Sequence, residues 1–185
     1  MDIRGYNGTF SDLTTARAAE NMVAEILQKC LPNYNFYNVG DNPRYYYTGD
    51  LLCVDKNNNN NYFLLEVKDD GTIGRTKNVL IEYYVWSYKK NQRLKANIES
   101  NYCWYCVLSR DTKKIYIMRW DILKQHYMEG RDMQKVHYNA FGEKVQKTYA
   151  KLLPLDKIRE FGGLYWEVSF DEYNNPLTIN NVSVA

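Results

Sequence analysis

Five consecutive asparagines, at positions 57–61, separate two segments whose residues favour β-strands. Residues 45–55, before the asparagines, are rich in Tyr, Leu, Cys and Val, and residues 62–68, after them, are mostly apolar. A polar run between two such segments is typical of the loop of a β-hairpin. Because the strands of a hairpin lie side by side, residues at the far ends of the two segments are expected to be neighbours.

Three charged residues interrupt these two predicted strands: Asp50 lies in the first, and Glu66 and Lys68 lie in the second. Because side chains alternate along a strand, Glu66 and Lys68 are expected on one face and the neighbouring apolar residues on the other. A charge on an otherwise apolar strand is costly unless it is paired or binds a metal. Two carboxylates with a lysine suit metal-assisted phosphodiester hydrolysis, in which oxygen ligands hold Mg²⁺ and the ammonium acts on the attacking water.

A helix is predicted before the hairpin, over residues 11–31, because capping residues begin the segment and Pro32 follows it. Helical spacing places Glu20 on or beside the apolar stripe, which is an unusual position for a carboxylate. Glu25 lies on the same helix, on a more exposed face. Glu20 is therefore the preferred candidate for a further acidic residue at the site.

The rest of the chain contains strand-like and helical segments without a linker or a repeat. Further strands are predicted at residues 35–39, 78–86, 102–109, 114–119 and 164–170, and short helices at 121–129 and 155–161. Residues 131–147 are ambiguous and are expected to be irregular, and the C-terminal tail is polar. This order predicts a single α/β (α+β) domain over residues 1–185, with a central sheet covered by helices.

The pair Gly49-Asp50, followed by Glu66-Val67-Lys68, resembles the signature of the PD-(D/E)XK nuclease superfamily. Residues 75–82 are similar to a segment of phage and bacterial members, in which a Thr-Gly-Asn-like turn leads into a strand with an acidic residue. Lys77 stands where those members have a small residue. The likeness covers about residues 10–165, and its specificity comes from the combination of motifs, since an isolated Glu-x-Lys is common.

The resemblance implies a restriction-endonuclease-like fold, with a mixed central sheet of about four to five strands flanked by helices. It also implies a metal-dependent DNA endonuclease that uses Mg²⁺, for which Mn²⁺ can substitute. The implied site comprises the metal ligands Asp50, Glu66 and the Val67 carbonyl, the catalytic Lys68, the outer-shell or second-metal residue Glu20, and the accessory residues Asn78 and Glu82. Cutting both strands of DNA usually needs two sites, so a homodimer is a reasonable expectation.

Basic and aromatic residues that follow the Glu66 segment are the candidates for DNA contacts. They are Arg75, Lys77, Tyr88, Lys89, Lys90 and Arg93. The aromatic residues at positions 83, 84 and 86 are suited to stack on exposed bases, but packing within the core explains them better. One or two of the tyrosines at positions 45–47 are expected to lie beside Asp50 and line a cleft.

The chain is nearly neutral, with 24 Lys and Arg against 22 Asp and Glu, and it contains 18 Tyr but only 2 His. The charge balance excludes an extended basic arm, and scarce histidine argues against His-built zinc enzymes and His-centred nucleophiles. The N-terminus has no apolar signal segment and no apolar run reaches membrane-spanning length. A cytoplasmic protein without a membrane partner is therefore expected, and the resemblance to the nuclease superfamily implies that a bacterium or a phage encodes it.

Other interpretations of the same residues stay open. One is a non-catalytic nucleic-acid-binding or interaction module that keeps the nuclease fold, although intact Asp50, Glu66 and Lys68 argue against it. Another is a metal-binding structural protein built on Cys103 and Cys106, whose strand-like context instead favours small buried side chains. A solvated charged face is the simplest alternative, but it leaves acidic residues on several apolar strands unexplained.

Overall fold

The computed structural model of the chain describes residues 10–40, 42, 44, 49–101 and 103–181. Four helices and eleven strands lie within these ranges, and short 3₁₀ turns lie at Asn97–Glu99 and Tyr127–Glu129. In chain order the elements are α1 (Phe10–Cys30), β1 (Tyr34–Asn38), β2 (Leu51–Asp55), β3 (Tyr62–Asp69), α2 (Ile73–Thr76), β4 (Asn78–Ser87), β5 (Gln92–Leu94), β6 (Trp104–Ser109), β7 (Lys114–Arg119), α3 (Trp120–His126), β8 (Arg131–Tyr138), β9 (Lys144–Pro154), α4 (Leu155–Glu160), β10 (Leu164–Phe170) and β11 (Pro176–Asn181).

Seven strands form the larger sheet, in the order β1-β2-β3-β6-β7-β10-β11. β3 and β6 run parallel, and the other neighbouring pairs of this sheet are antiparallel. The predicted hairpin is confirmed, because β2 and β3 pair in a register that sets Leu51 opposite Leu65 and Val54 opposite Tyr62. The asparagine run lies in the connection between these two strands.

The larger sheet buries both of its faces. On one face α1 packs its apolar stripe, which includes Val23, Ile26 and Leu27, against the sheet residues Leu51 and Leu65. Full burial of one such side chain stabilises the fold by about 1.5–3 kcal/mol. The opposite face is covered by the second sheet and the short helices in a separate apolar cluster, which joins Tyr105, Val107, Met118, Val79, Ile81, Leu153 and Ile158.

The second sheet has four antiparallel strands in the order β5-β4-β9-β8. The expectation that residues 131–147 are irregular is wrong, since they form β8 and begin β9. Few side chains of β8 are apolar and none is fully buried, so this strand has no hydrophobic alternation to detect. Its pairing with β9, from Arg131 opposite Leu152 to His137 opposite Gln146, holds it in place.

The predicted fold class is also wrong. A sheet of about four to five strands flanked by helices was expected, whereas strands account for 46% and helices for 26% of the structure, divided between a curled mixed sheet of seven strands and a sheet of four. Polar strands account for part of the difference, because β8 and β11 satisfy their backbone groups by pairing with β9 and β10. β11 lies in the segment that was expected to be a polar tail.

Candidate active site

Asp50 lies at the point where the chain enters β2, and its side chain is 7% exposed. Its backbone N–H donates to the Leu65 carbonyl at 2.9 Å, and its carboxylate Oδ2 accepts from the Val67 N–H at 2.9 Å. Gly49 precedes it with a φ of 147°, and a Cβ atom there would lie 3.1 Å from the Leu65 carbonyl oxygen. Glycine therefore permits the close approach that places Asp50 against β3.

Glu66 and Lys68 share the face of β3 that turns away from α1, since Leu65 and Val67 between and beside them belong to the α1 core. The Lys68 ammonium pairs with Glu66 Oε1. The Glu66 side chain is 14% exposed and that of Lys68 is 38% exposed. This ion pair is therefore half-buried, with its carboxylate screened from solvent more than its ammonium.

The charges of this site act on one another. Burial raises the pKa of the Asp50 carboxyl to about 7, with Glu66 and Glu20 adding to the rise and Lys68 opposing it. Burial disfavours the charged form of Lys68, but Glu66 and Asp50 outweigh this and hold the pKa of its ammonium above the ordinary value. Negative charge therefore exceeds positive charge around Lys68.

Glu20 is 5% exposed on α1, and its carboxylate accepts from the Asn38 amide at 2.8 Å. Asn38 lies opposite Leu51 in the β1–β2 pair, so Glu20 lies near the start of β2, and its charge helps to raise the pKa of the Asp50 carboxyl. Glu25, the alternative on the same helix, is exposed and pairs with Lys29 at 2.9 Å. The structure therefore brings Glu20, and not Glu25, toward the site.

Glu82 joins the same group from the second sheet. Burial raises the pKa of its carboxyl, Lys68 opposes the rise and Glu66 adds to it. Asn78, at the start of the same strand, donates its side-chain amide to the Thr76 carbonyl at 2.7 Å, which is a local contact. We call Glu20, Asp50, Glu66, Lys68 and Glu82 the charged cluster, and Asn78 is not brought into it by any contact among the described residues.

Tyr105 is a further residue of this region that the sequence did not reveal. It lies opposite Glu66 in the parallel β3–β6 pair, is 2% exposed, and donates its hydroxyl to the Leu80 carbonyl at 3.0 Å. Burial raises the pKa of its phenol, with Lys68 opposing the rise and Glu66 and Glu82 adding to it. Tyr105 thus borders the charged cluster and ties it to β4.

Replacing Tyr105 with phenylalanine is expected to lower the free energy of unfolding by roughly 0.5–1.5 kcal/mol, because the Leu80 carbonyl loses the hydroxyl that it accepts from in a half-buried position. Urea denaturation measures this change. Tyr173→Phe is the matched control, since Tyr173 is 72% exposed and should tolerate the same change within about 0.5 kcal/mol. Equal stability of the two variants would show that the Tyr105 hydroxyl does not support β4.

The donor set of the charged cluster fits a hard divalent cation. Asp50 Oδ2 accepts from the Val67 N–H and Glu66 Oε1 accepts from the Lys68 ammonium, and the two oxygens of a carboxylate together offer about four lone-pair sites. The N–H and C=O of one strand residue point to the same edge, so the Val67 carbonyl faces the Asp50 side as its N–H does. Among the described residues no three acidic, His or Cys side chains form a ready metal-binding group. Mg²⁺ commonly needs only one or two carboxylates and completes its shell with water and phosphate.

The predicted DNA contacts lie on two exposed segments. Arg75 and Lys77 belong to α2 and its C-cap, where Lys77 has a φ of 54°. This left-handed conformation favours glycine, so lysine is an unusual residue at this position. The other segment, in and after the β4–β5 turn, comprises Tyr88, Lys89, Lys90 and Arg93, and the tyrosines at positions 45–47 lie outside the described residues.

Cys103 and Cys106 have different surroundings. Cys103 is exposed, while Cys106 is fully buried in the α1 core and burial raises the pKa of its thiol. The thiolate form that binds zinc is therefore disfavoured at Cys106. A cavity of about 390 Å³ beside Cys103 and an apolar cavity of about 210 Å³ under α1 contain no member of the charged cluster in their linings.

The chain matches no family model, no curated protein and no solved structure. The resemblance to the PD-(D/E)XK superfamily therefore stays an expectation from this chain's own residues. No helix in the described part of the chain has the length and apolar character needed to cross a membrane.

Proposed function

We propose that this protein is a metal-dependent DNA endonuclease of the PD-(D/E)XK type. The observation that carries the proposal is the grouping of Asp50, Glu66 and Lys68, which come from two paired strands and act electrostatically on one another. Glu20 and Glu82 reach the same group from α1 and β4. Perturbed carboxyl pKa values with a lysine partner are typical of functional sites.

Asp50, Glu66 and the Val67 carbonyl would hold Mg²⁺, or Mn²⁺ in its place, and water and a phosphate oxygen would complete the coordination. Such a cation lowers the pKa of a bound water and neutralises charge that develops on the phosphate. The excess of carboxylates over cations at this point favours a divalent ion, since each buried negative charge is otherwise poorly compensated. Glu20 and Glu82 act at longer range by keeping the local potential negative.

Lys68 has two roles in this proposal. Glu66 anchors its ammonium beside the cluster, and its half-exposed side chain lies open to a substrate. From there the ammonium orients the attacking water and stabilises the negative charge that develops on the phosphate. The water oxygen would bond to the phosphorus in line with the leaving oxygen as the P–O bond to that oxygen breaks. The water's proton would pass to solvent or to a neighbouring carboxylate, and the leaving oxygen would take a proton from solvent.

Several features of the setting belong to the same proposal. DNA is the partner, and the basic residues Arg75, Lys77, Lys89 and Lys90 compensate the acidic cluster as the phosphates approach. One charged cluster per chain cuts one strand, so cleavage of both strands calls for a homodimer. A bacterial or phage-encoded protein of the cytoplasm suits such an activity.

The test is cleavage of plasmid, linear and branched DNA in Mg²⁺ or Mn²⁺, with EDTA as the metal-free condition. Glu66→Gln is expected to lower the rate at least roughly 100-fold, which is the upper cost of losing even an outer-shell partner of a metal. Glu167→Gln is the matched control, because Glu167 lies on the same sheet, pairs with Lys114 and is 12% exposed. Its rate should stay near that of the unmodified protein.

Two outcomes count against the proposal. Metal-dependent cleavage that survives in Glu66→Gln places the active site elsewhere in the chain. Failure of the unmodified protein to cut any of the substrates with either metal favours the non-catalytic nucleic-acid-binding module.

A further inference from the structure

The second sheet is strongly basic although the whole chain is nearly neutral. The segments 78–95 and 131–154, which supply its four strands and the turn between β4 and β5, contain nine Lys and Arg against three Asp and Glu. The remainder of the chain contains 15 Lys and Arg against 19 Asp and Glu. Positive charge is therefore concentrated on this sheet, as expected of a surface that neutralises phosphates.

Half-buried tyrosines lie among these cations. Tyr84 on β4 lies opposite Tyr149 on β9, with ring centroids 5.5 Å apart and an interplanar angle of 78°. Tyr83 approaches the same Tyr149 ring at 6.4 Å. All three side chains are intermediate in exposure, although packing within the core was the better expectation for the tyrosines of β4.

Two cations lie directly against these rings. The Lys147 ammonium is 4.6 Å from the centroid of Tyr149, and the Arg93 guanidinium is 5.5 Å from the centroid of Tyr84. Lys147 lies opposite Trp86, so the aromatic and basic side chains share one face of the sheet. We call Tyr83, Tyr84, Arg93, Lys147 and Tyr149 the tyrosine face.

The tyrosine face begins next to the charged cluster. Tyr83 and Tyr84 directly follow Glu82, and a bulge in the β4–β9 pairing lies between Glu82 and Tyr84. A bulge changes the directions of the side chains around it. Glu82 can therefore point toward Lys68 while the tyrosines after it point to a different surface. The tyrosine face therefore adjoins Glu82 along β4 but presents a surface of its own.

We propose that the tyrosine face binds a single-stranded stretch of the DNA substrate. Unpaired bases present the flat faces that tyrosine rings stack on, whereas paired bases are stacked within their own helix. Lys147, with Lys144 three residues before it on β9, meets the phosphates of the same strand, and Arg93 does so in exchange for its 2.9 Å ion pair with Glu99. That the bound polymer is DNA rests on the proposed nuclease function. That its bases are unpaired is inferred from the tyrosine rings of the tyrosine face.

Binding of a short fluorescent oligo(dT) in EDTA, followed by anisotropy, tests this inference without cleavage. Tyr84→Leu and Tyr149→Leu retain apolar bulk but lose the ring, and each is expected to weaken binding roughly 5- to 150-fold, which corresponds to ~1–3 kcal/mol per stacked base. Lys147→Gln should lower the slope of log affinity against log salt by roughly 0.7. Tyr173→Leu and Lys157→Gln, exposed residues away from the tyrosine face, are the controls and should bind as the unmodified protein does.

Duplex DNA and oligo(rU) complete the experiment. Affinity of the tyrosine variants for duplex DNA should stay within about twofold of the unmodified protein, because a duplex offers no free bases. Unchanged oligo(dT) binding in both tyrosine variants, equal losses for duplex and single strand, or tighter binding of oligo(rU) than of oligo(dT) would overturn the inference. Cleavage that is absent while the tyrosine variants still lose oligo(dT) binding would reject the nuclease and retain the tyrosine face.

Discussion

Lys68→Ala is expected to lower metal-dependent DNA cleavage by roughly 10²- to 10⁴-fold, which is the range for removal of a group that handles a proton or stabilises transition-state charge. The physical reason is the position of the ammonium, because Glu66 anchors it near Asp50 while the Lys68 side chain remains 38% exposed. Single-turnover cleavage of a labelled DNA at saturating Mg²⁺ measures the loss. At saturating Mg²⁺ every protein molecule carries the metal, so a slower rate of Lys68→Ala reports a slower chemical step and not weaker metal binding.

Lys114→Ala provides a closely matched control. Lys114 lies on the same sheet and pairs with Glu167. The Lys114 side chain is 37% exposed and that of Lys68 is 38% exposed. Their partners are also alike, since the Glu167 side chain is 12% exposed and that of Glu66 is 14% exposed. Its replacement also leaves Glu167 paired with Arg159 at 2.8 Å. The cleavage rate of Lys114→Ala should therefore stay within a few fold of that of the unmodified protein. If Lys68→Ala and Lys114→Ala lost the same amount of activity, the loss would not be specific to Lys68.

Metal affinity distinguishes a catalytic role from simple unfolding of Lys68→Ala. Removal of an ammonium from beside two carboxylates should tighten Mg²⁺ binding, because the cation no longer competes with a fixed positive charge. Isothermal titration calorimetry measures this affinity on the folded variant. A variant that binds Mg²⁺ at least as tightly but does not cut DNA supports the role of Lys68 at the reacting phosphate.

Local patterns in the sequence were sufficient for the elements around Asp50 and Glu66. The polar asparagine run and the apolar segments on either side of it define the β2–β3 hairpin, and the apolar stripe of residues 11–31 defines α1. These patterns arise because burial requires a fixed periodicity, which is visible in a single segment. β8 has no such periodicity, since its stability comes from hydrogen bonds to a partner that the sequence does not name.

The same distinction applies to the candidate site. Alternation along β3 was enough to put Glu66 and Lys68 on one face, and helical spacing was enough to prefer Glu20 to Glu25. Tyr105 could not be found in this way, because it meets Glu66 through a parallel pairing of strands that are separated in the chain by α2, β4 and β5. Long-range register is a property of the whole fold and leaves no local pattern.

Asp50→Asn is expected to stabilise the metal-free protein at pH 8 while it removes metal-dependent cleavage. At this pH the Asp50 carboxyl is charged in both states, but in the folded state the charge is buried beside Glu66 and Glu20. The interval between its ordinary pKa of 3.8 and a folded-state pKa of about 7 corresponds to a destabilisation of up to about 4 kcal/mol. Asparagine carries no charge, and its side-chain oxygen can still accept the Val67 N–H.

The pH dependence of this gain has a definite sign. Because the pKa of the Asp50 carboxyl is raised in the folded state, the folded protein binds this proton more tightly than the unfolded chain does. Acidification from pH 7 toward pH 4 therefore stabilises the unmodified protein, whereas the Asp50→Asn variant has no such carboxyl to protonate. The stability difference should therefore be largest at pH 8, shrink as the pH falls through 7, and vanish below about pH 4. Urea denaturation in EDTA at several pH values measures it.

Two comparisons complete this prediction. Asp156→Asn changes a carboxylate that is 84% exposed, so its effect on stability should stay within about 0.5 kcal/mol at every pH. Addition of Mg²⁺ should reverse the order of stability, because the cation binds the folded protein with Asp50 and compensates the buried charge, whereas Asp50→Asn has lost a ligand. A variant that is less stable than the unmodified protein at pH 8 without metal would show that the Asp50 carboxylate is held by favourable contacts, and would remove the electrostatic reason for a cation at the charged cluster.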